Sequence, residues 1–126
     1  MANRMKAKGD RYERDILAIC QMTGFTQARR TRAGRMEDQG DIHLTHDGRH
    51  ILQTKDVATP TWREWLTELD HQKYAASATT GALVVKRRGT GPNPPIHLAV
   101  VRLDDWLAMV NLLERYRAHA MEGGAA

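Results

Sequence analysis

The chain has 126 residues, 41% apolar and 27% charged, with a net charge of +4 and one cysteine. That length suits one domain over 1–126, with no apolar run near the roughly 20 residues of a membrane span; no secretory signal is expected from the basic first residues, and one cysteine allows no internal disulfide. Charge is uneven: residues 1–35 hold 9 Lys/Arg against 3 Asp/Glu, and the remainder 10 against 12, which suggests an oriented contact with a polyanion.

Met1 to Lys8 is basic and polar, and with Met121 to Ala126 it is expected to be flexible. A helix is expected from Asp10, with Tyr12, Ile16, Ile19 and Cys20 at helical spacing and Cys20 a buried thiol in a reducing cytoplasm. Asp10 and Glu13 have the spacing of a capping pair, and Gly24 ends the helix. Thr26 to Arg30 reads as a weak strand, and Thr31 to Gln39 as a loop.

Asp41 to Lys55 reads as a hairpin turning at Asp47-Gly48. A two-residue turn would separate Asp41 from the face of Gln53 and Lys55. A three-residue turn with Gly48 left-handed pairs His46 with His50. It places Ile42, Leu44 and Leu52 on one face and Asp41, His43, Gln53 and Lys55 on the other. The buried face sets register, so the second arrangement is expected.

Thr61 and Glu64 form a second capping-box pattern ahead of a helix carrying Trp62, Trp65, Leu66 and Leu69 and ending near Ala76. Gly81 to Lys86 and Ile96 to Val101 read as apolar strands, separated by a Gly/Pro loop. A last helix starts at Asp104, with Trp106, Leu107, Val110 and Leu113 on one side. The order implies an α/β fold, a mixed sheet flanked by helices, with a parallel crossover around the second helix.

The polar face of the hairpin carries the chemistry. Phosphodiester hydrolysis needs an activated water and charge stabilisation on the phosphate, both of which a hard divalent cation on oxygen ligands can supply. Asp41 is the natural anchor, Gln53 offers a neutral carbonyl oxygen, and the backbone carbonyl of Thr54 is a further donor. Lys55 can orient the water or neutralise developing charge, and Glu13 can add a second carboxylate. Taken singly, Glu13 could be a helix cap, Asp41 a strand start and Lys55 a solvated strand end. His43 is read as supporting the site rather than binding the ion, and Glu37 and Asp38 as solvent-facing. Arg29, Arg30, Arg32, Arg35, Arg87 and Arg88 are candidate phosphate contacts, which give affinity without sequence information.

Glu13, then Gly40-Asp41-Ile42, then Gln53-Thr54-Lys55 resembles the PD-(D/E)xK nuclease pattern. The closest likeness is to Holliday junction resolvases of the archaeal and phage type. They share an opening like Lys8-Gly9-Asp10-Arg11-Tyr12-Glu13-Arg14 and a basic segment like Ala33-Gly34-Arg35. The resemblance implies a restriction-endonuclease-like fold and Mg2+ dependence, with Mn2+ as a substitute. It further implies a homodimer acting on branched or four-way DNA in the cytoplasm of a bacterial or phage-infected cell, and a supporting role for Gln72. Gln53 departs from the pattern, which usually has Glu or Asp there. Its lost charge should weaken cation affinity. This keeps two alternatives open: a catalytically weak DNA-binding protein, and a nicking or restriction-like endonuclease. Trp62, Trp65 and Trp106 are candidates for a dimer interface, or else core.

Overall fold

A computed structural model describes residues 2–31 and 37–124. In chain order its elements are α1 (Ala2–Met22), β1 (Arg29–Arg30), β2 (Ile42–His43), β3 (His50–Lys55), α2 (Trp62–Ala76), β4 (Thr80–Arg87), β5 (Ile96–Val100) and α3 (Leu103–Gly124). The strands form a five-stranded sheet in the order β1-β2-β3-β4-β5. All neighbours are antiparallel except β3 and β4, which run parallel because α2 carries the chain back between them. This is a small α/β domain with a mixed sheet.

Each sheet face has its own helix. Tyr12, Ile16 and Cys20 of α1 pack with Ala28, Ile42 and Val84 on one side. Trp65 and Leu69 of α2 pack with Ile51, Leu83 and Val85 on the other. Covered on both faces, β4 buries Leu83, Val84 and Val85 in succession, the continuous apolar pattern of a central parallel strand. In β3 the alternation sends Ile51, Gln53 and Lys55 toward α2, and Leu52 and Thr54 toward α1. The Lys55 ammonium lies 5.4 Å from the centre of the Trp65 ring, consistent with that assignment. Cys20 is a free, buried thiol, and burial raises its pKa.

The ends of the helices differ from expectation. Ala2 to Lys8 is the start of α1 rather than a loose leader, and α3 continues to Gly124. Asn, Arg, Met, Lys and Ala in the first turns are compatible with helix, and Gly9 costs only about 1 kcal/mol there. Asp10 and Glu13 therefore sit inside α1 and cannot cap it. Thr61 does occupy the N-cap position of α2, but its side chain makes no capping hydrogen bond. Glu64 remains in the first turn, where its charge suits the helix dipole. The first strand is reduced to Arg29–Arg30.

The hairpin register is displaced by two residues. Ile42 pairs with Leu52 and His43 with Ile51, and the Leu44 amide donates to the His50 carbonyl at 2.8 Å. Asp47 supplies the reason: its Oδ1 accepts from Thr45 Oγ1 at 2.7 Å and from the Arg49 amide at 3.1 Å, closing the turn between Thr45 and Arg49. Gly48 is left-handed there, with φ +75°, as expected. A shift of two leaves strand side chains on their assigned faces.

Gly40 leads into β2 with φ +89°, and a Cβ placed on it would stand 3.2 Å from the Leu52 carbonyl oxygen. Gly40→Ala is expected to cost about 1–3 kcal/mol, through positive φ and that backbone contact. Urea unfolding checks this: the midpoint should fall at unchanged slope, and an unmoved midpoint would refute it.

Candidate functional site

Asp41 is fixed by the strand ladder around it. Its amide donates to the Leu52 carbonyl at 2.9 Å, although Leu52 is already the partner of Ile42, so the strand enters the sheet with a local irregularity. The Asp41 carbonyl accepts from the Thr31 amide at 3.0 Å. Its carboxylate turns onto β3, where Oδ2 accepts from the Thr54 amide at 2.9 Å and from Thr54 Oγ1 at 3.0 Å. The side chain thus takes the place of a strand partner that short β2 does not provide. Burial raises its pKa to about 6, opposed by the Thr54 hydrogen bonds and assisted by the charges of Glu13 and Asp38. The expected common face is modified accordingly: Gln53 and Lys55 point to α2, whereas the Asp41 carboxylate meets Thr54 at the seam between the two faces.

Glu13 and Arg30 stand on the α1 side. Glu13 Oε1 accepts from Arg30 Nε at 2.7 Å, and Arg30 Nη2 donates to Asp10 Oδ1 at 3.4 Å. Arg30 is therefore engaged by two acids instead of standing open to a phosphate. The Arg29 guanidinium donates to His43 Nδ1 at 3.3 Å, and His43 Nε2 donates to the Gln39 carbonyl at 3.0 Å, a tautomer that satisfies both bonds. His43 is buried, and these two bonds brace the strand.

On the α2 side, Gln53 is buried and its Oε1 has no hydrogen-bond donor. Lys55 Nζ lies 3.6 Å from Glu68 Oε1. Gln72, also buried, donates from Nε2 to Asp38 Oδ2 at 2.9 Å and to Glu68 Oε1 at 3.3 Å. Asp38 Oδ1 in turn accepts the Gly40 amide at 3.0 Å. Gln72 thus ties α2 to the segment leading into Asp41. Sequence reasoning missed Glu68 and treated Asp38 as solvent-facing; Asp38 is exposed, yet bonded into this network. One signal was readable: Glu68 and Gln72 are polar residues on the stripe of Trp65 and Leu69, where a helix normally shows carbon.

The basic surface is also partly different from expectation. Arg87 is exposed at the carboxyl end of β4. Arg88 Nη2 donates to Asp56 Oδ1 at 3.2 Å, and Lys86 Nζ stands 4.0 Å from Asp56 Oδ2. A cleft of about 370 Å3 brings Lys8 and Arg11 of α1 beside Lys86 and Arg88, with Asp15 and Asp56 as its acids. Lys8 belongs to the stretch read as flexible, so its placement was invisible without the full extent of α1. Arg32 and Arg35, with the Ala33-Gly34-Arg35 segment, lie outside the described residues.

Among the described residues no group of three or more His, Cys, Asp or Glu is close enough to hold a metal ion. The donors available beside β3 are oxygens: the raised Asp41 carboxylate and the donor-less Gln53 Oε1. Oxygens of this kind are the donor type a hard cation such as Mg2+ takes, rather than a soft ion seeking nitrogen and sulfur. No described helix is long and apolar enough to cross a membrane. In comparisons with known proteins, no family model, no curated protein and no solved structure matches the chain.

Because the folded-state pKa of Asp41 stands at about 6 against an ordinary 3.8, the native protein binds the extra proton between these values. This group's contribution therefore favours folding at low pH and is lost as pH rises through about 6. Asp41→Asn keeps an oxygen for both Thr54 donors and removes the buried charge. It should flatten the pH dependence of stability between pH 4 and 7 and stabilise the protein at pH 8 by up to about 3 kcal/mol. Thermal melts across that range check the sign; greater stability of the wild-type protein at pH 8 would contradict it.

Proposed function

We propose that this chain is a Mg2+-dependent, structure-selective DNA endonuclease with a restriction-endonuclease-like fold, acting on branched DNA as a Holliday junction resolvase. The observation that carries the reading is a juxtaposition at the carboxyl end of β3. A buried carboxylate with a raised pKa, Asp41, is anchored to Thr54, between buried Gln53, whose Oε1 has no donor, and Lys55. Oxygens that attract a cation and an ammonium within two residues are the parts phosphodiester hydrolysis needs.

Asp41 and Gln53 would hold the ion, with the Thr54 carbonyl and Glu13 as further donors under the resemblance. Mg2+ bound there supplies Lewis acidity toward water and the phosphate. Lys55 would offset charge gathering on the phosphate once its ammonium leaves Glu68, and Glu13 would act only after releasing Arg30. Substrate DNA, which brings its own phosphates to compete for Lys55 and Arg30, is a natural trigger for both exchanges. Lys8, Arg11, Lys86, Arg87 and Arg88 would hold the DNA backbone. Manganese would substitute for magnesium.

The second reading is a DNA-binding protein with weak or no catalysis. It is favoured by the neutrality of Gln53 and by the ion pairs that occupy Glu13 and Lys55. Incubation with a four-way junction, linear duplex and flap DNA, with and without Mg2+ or Mn2+, separates the two. Paired cuts at the junction, lowered at least about 100-fold by Lys55→Ala, are the expected result. A nicked or cut linear duplex would instead favour a nicking or restriction-like enzyme. Tight junction binding without cleavage in either metal would sink the nuclease reading, and faster cleavage by Gln53→Glu would show that the absent carboxylate limits the native site.

A further inference from the structure

We infer that the cleft between the first half of α1 and the carboxyl end of β4 is a site for a phosphate dianion, carried by free phosphate, a mononucleotide or the phosphorylated end of a nucleic-acid strand. The inference goes beyond the nuclease reading and does not rest on it. Under that reading these side chains touch backbone diesters, whereas the cleft itself points to a more highly charged group. Lys8 and Arg11 of α1 line it together with Lys86 and Arg88, with Asp15 and Asp56 as its acids, around a volume of about 370 Å3.

The sheet brings the two pairs of cations together. Val84 packs with α1 and Val85 with α2, so the strand alternation returns Lys86 to the α1 side. Its ammonium lies 5.7 Å from the centre of the Tyr12 ring. Buried Tyr12 forms the floor of the cleft, its hydroxyl bonded to His97 Nδ1 at 3.0 Å. Burial raises the pKa of Tyr12, with help from Asp56 and Asp15, so the floor stays neutral and does not repel an anion. Asp56, the residue after β3, has a side chain only 7% exposed and holds two cations, Arg88 Nη2 at 3.2 Å and Lys86 Nζ at 4.0 Å. A buried carboxylate needs such pairing, and one carboxylate leaves one of the two positive charges unmatched. Half-buried Lys8 and exposed Arg11 have no ion-pair partner among the described residues, and Asp15 beside them is exposed.

Charge then selects the ligand. Four cations against two acids leave the cleft with a balance of +2. A backbone diester carries one negative charge, while a phosphate monoester carries about 1.5 to 2 at neutral pH, so the monoester is the better match. Cations gathered around one concave surface focus their field on it. Arg11 supplies a planar fork of donors suited to phosphate oxygens, and no acid holds it elsewhere. The 4.0 Å contact of Lys86 is loose, and an ammonium with three donors can take a phosphate oxygen while keeping Asp56. A carboxylate ligand would face the same two acids with half the charge.

The test is titration of the full chain in EDTA, so that no cleavage enters. Two short single strands of one sequence, one ending in a phosphate and one in a hydroxyl, are compared by fluorescence anisotropy, and inorganic phosphate and adenosine monophosphate by calorimetry. The phosphorylated strand is expected to bind at least about tenfold more tightly than the other. Lys8→Ala with Arg11→Ala should cut that preference to within about twofold at an unchanged circular dichroism spectrum, since neither side chain has an ion pair to lose and Ala favours helix. Binding of either small phosphate, lost in the double variant, without a preference between the strands supports the site and assigns it to a free phosphate. Equal binding of both strands with no binding of the small phosphates overturns it, as does a preference that survives in the double variant. None of these readings involves cleavage, so failure of the nuclease reading and failure of this one are told apart.

Discussion

The two hydrogen bonds from Thr54 to the Asp41 carboxylate hold the centre of this structure together. They join the entrance of β2 to the exit of β3 where the backbone ladder has run out. A buried carboxylate is costly, and here two donors offset only part of that cost. The remainder appears as a carboxyl group that keeps its proton to about pH 6. Stability and protonation meet in one side chain: the geometry that pins the hairpin also makes the charge of that acid costly to bury.

Around that anchor the two sheet faces have different electrostatics. On the α1 side the acids are matched, Glu13 and Asp10 to Arg30. On the α2 side the polar groups form a chain from Lys55 through Glu68 and Gln72 to Asp38 and the Gly40 amide. Two buried amide oxygens, of Gln53 and Gln72, find no donor there. Buried acceptors of this kind usually mark a place where a protein exchanges stability for use. Under the proposed reading the α1 side is the guarded half of the site and the α2 side the half poised to rearrange.

Most of the sheet was legible because burial has a simple period. The helix expected between β3 and β4 led to the parallel crossover, and the alternation in β3 to the separation of Leu52 from Gln53 and Lys55. Helix ends were less legible. Spacing cannot tell an N-cap from an interior acid, so Asp10 and Glu13 read as a capping pair when their actual partner, Arg30, lies across the fold. The hairpin register was missed for a similar reason: the Asp47 side chain settles the turn through bonds to Thr45 and Arg49, and residue pattern does not encode them. Glu68 and the cleft of Lys8, Arg11, Lys86 and Arg88 join segments far apart in sequence, which periodicity does not report.

The displaced turn also bears on how such a chain can change over time. Strand side chains alternate with a period of two, so the link between β2 and β3 counts residues in pairs. A change of two residues at the tip keeps Lys55 beside Glu68 and Leu52 with α1 as long as Ile42 stays opposite Leu52. Gain or loss of a single residue within the hairpin, if taken up by the ladder, would turn polar groups into the core and apolar ones outward. Length variation between Thr45 and Arg49 is therefore open only where the strands keep their faces and Asp41 keeps its place beside Thr54.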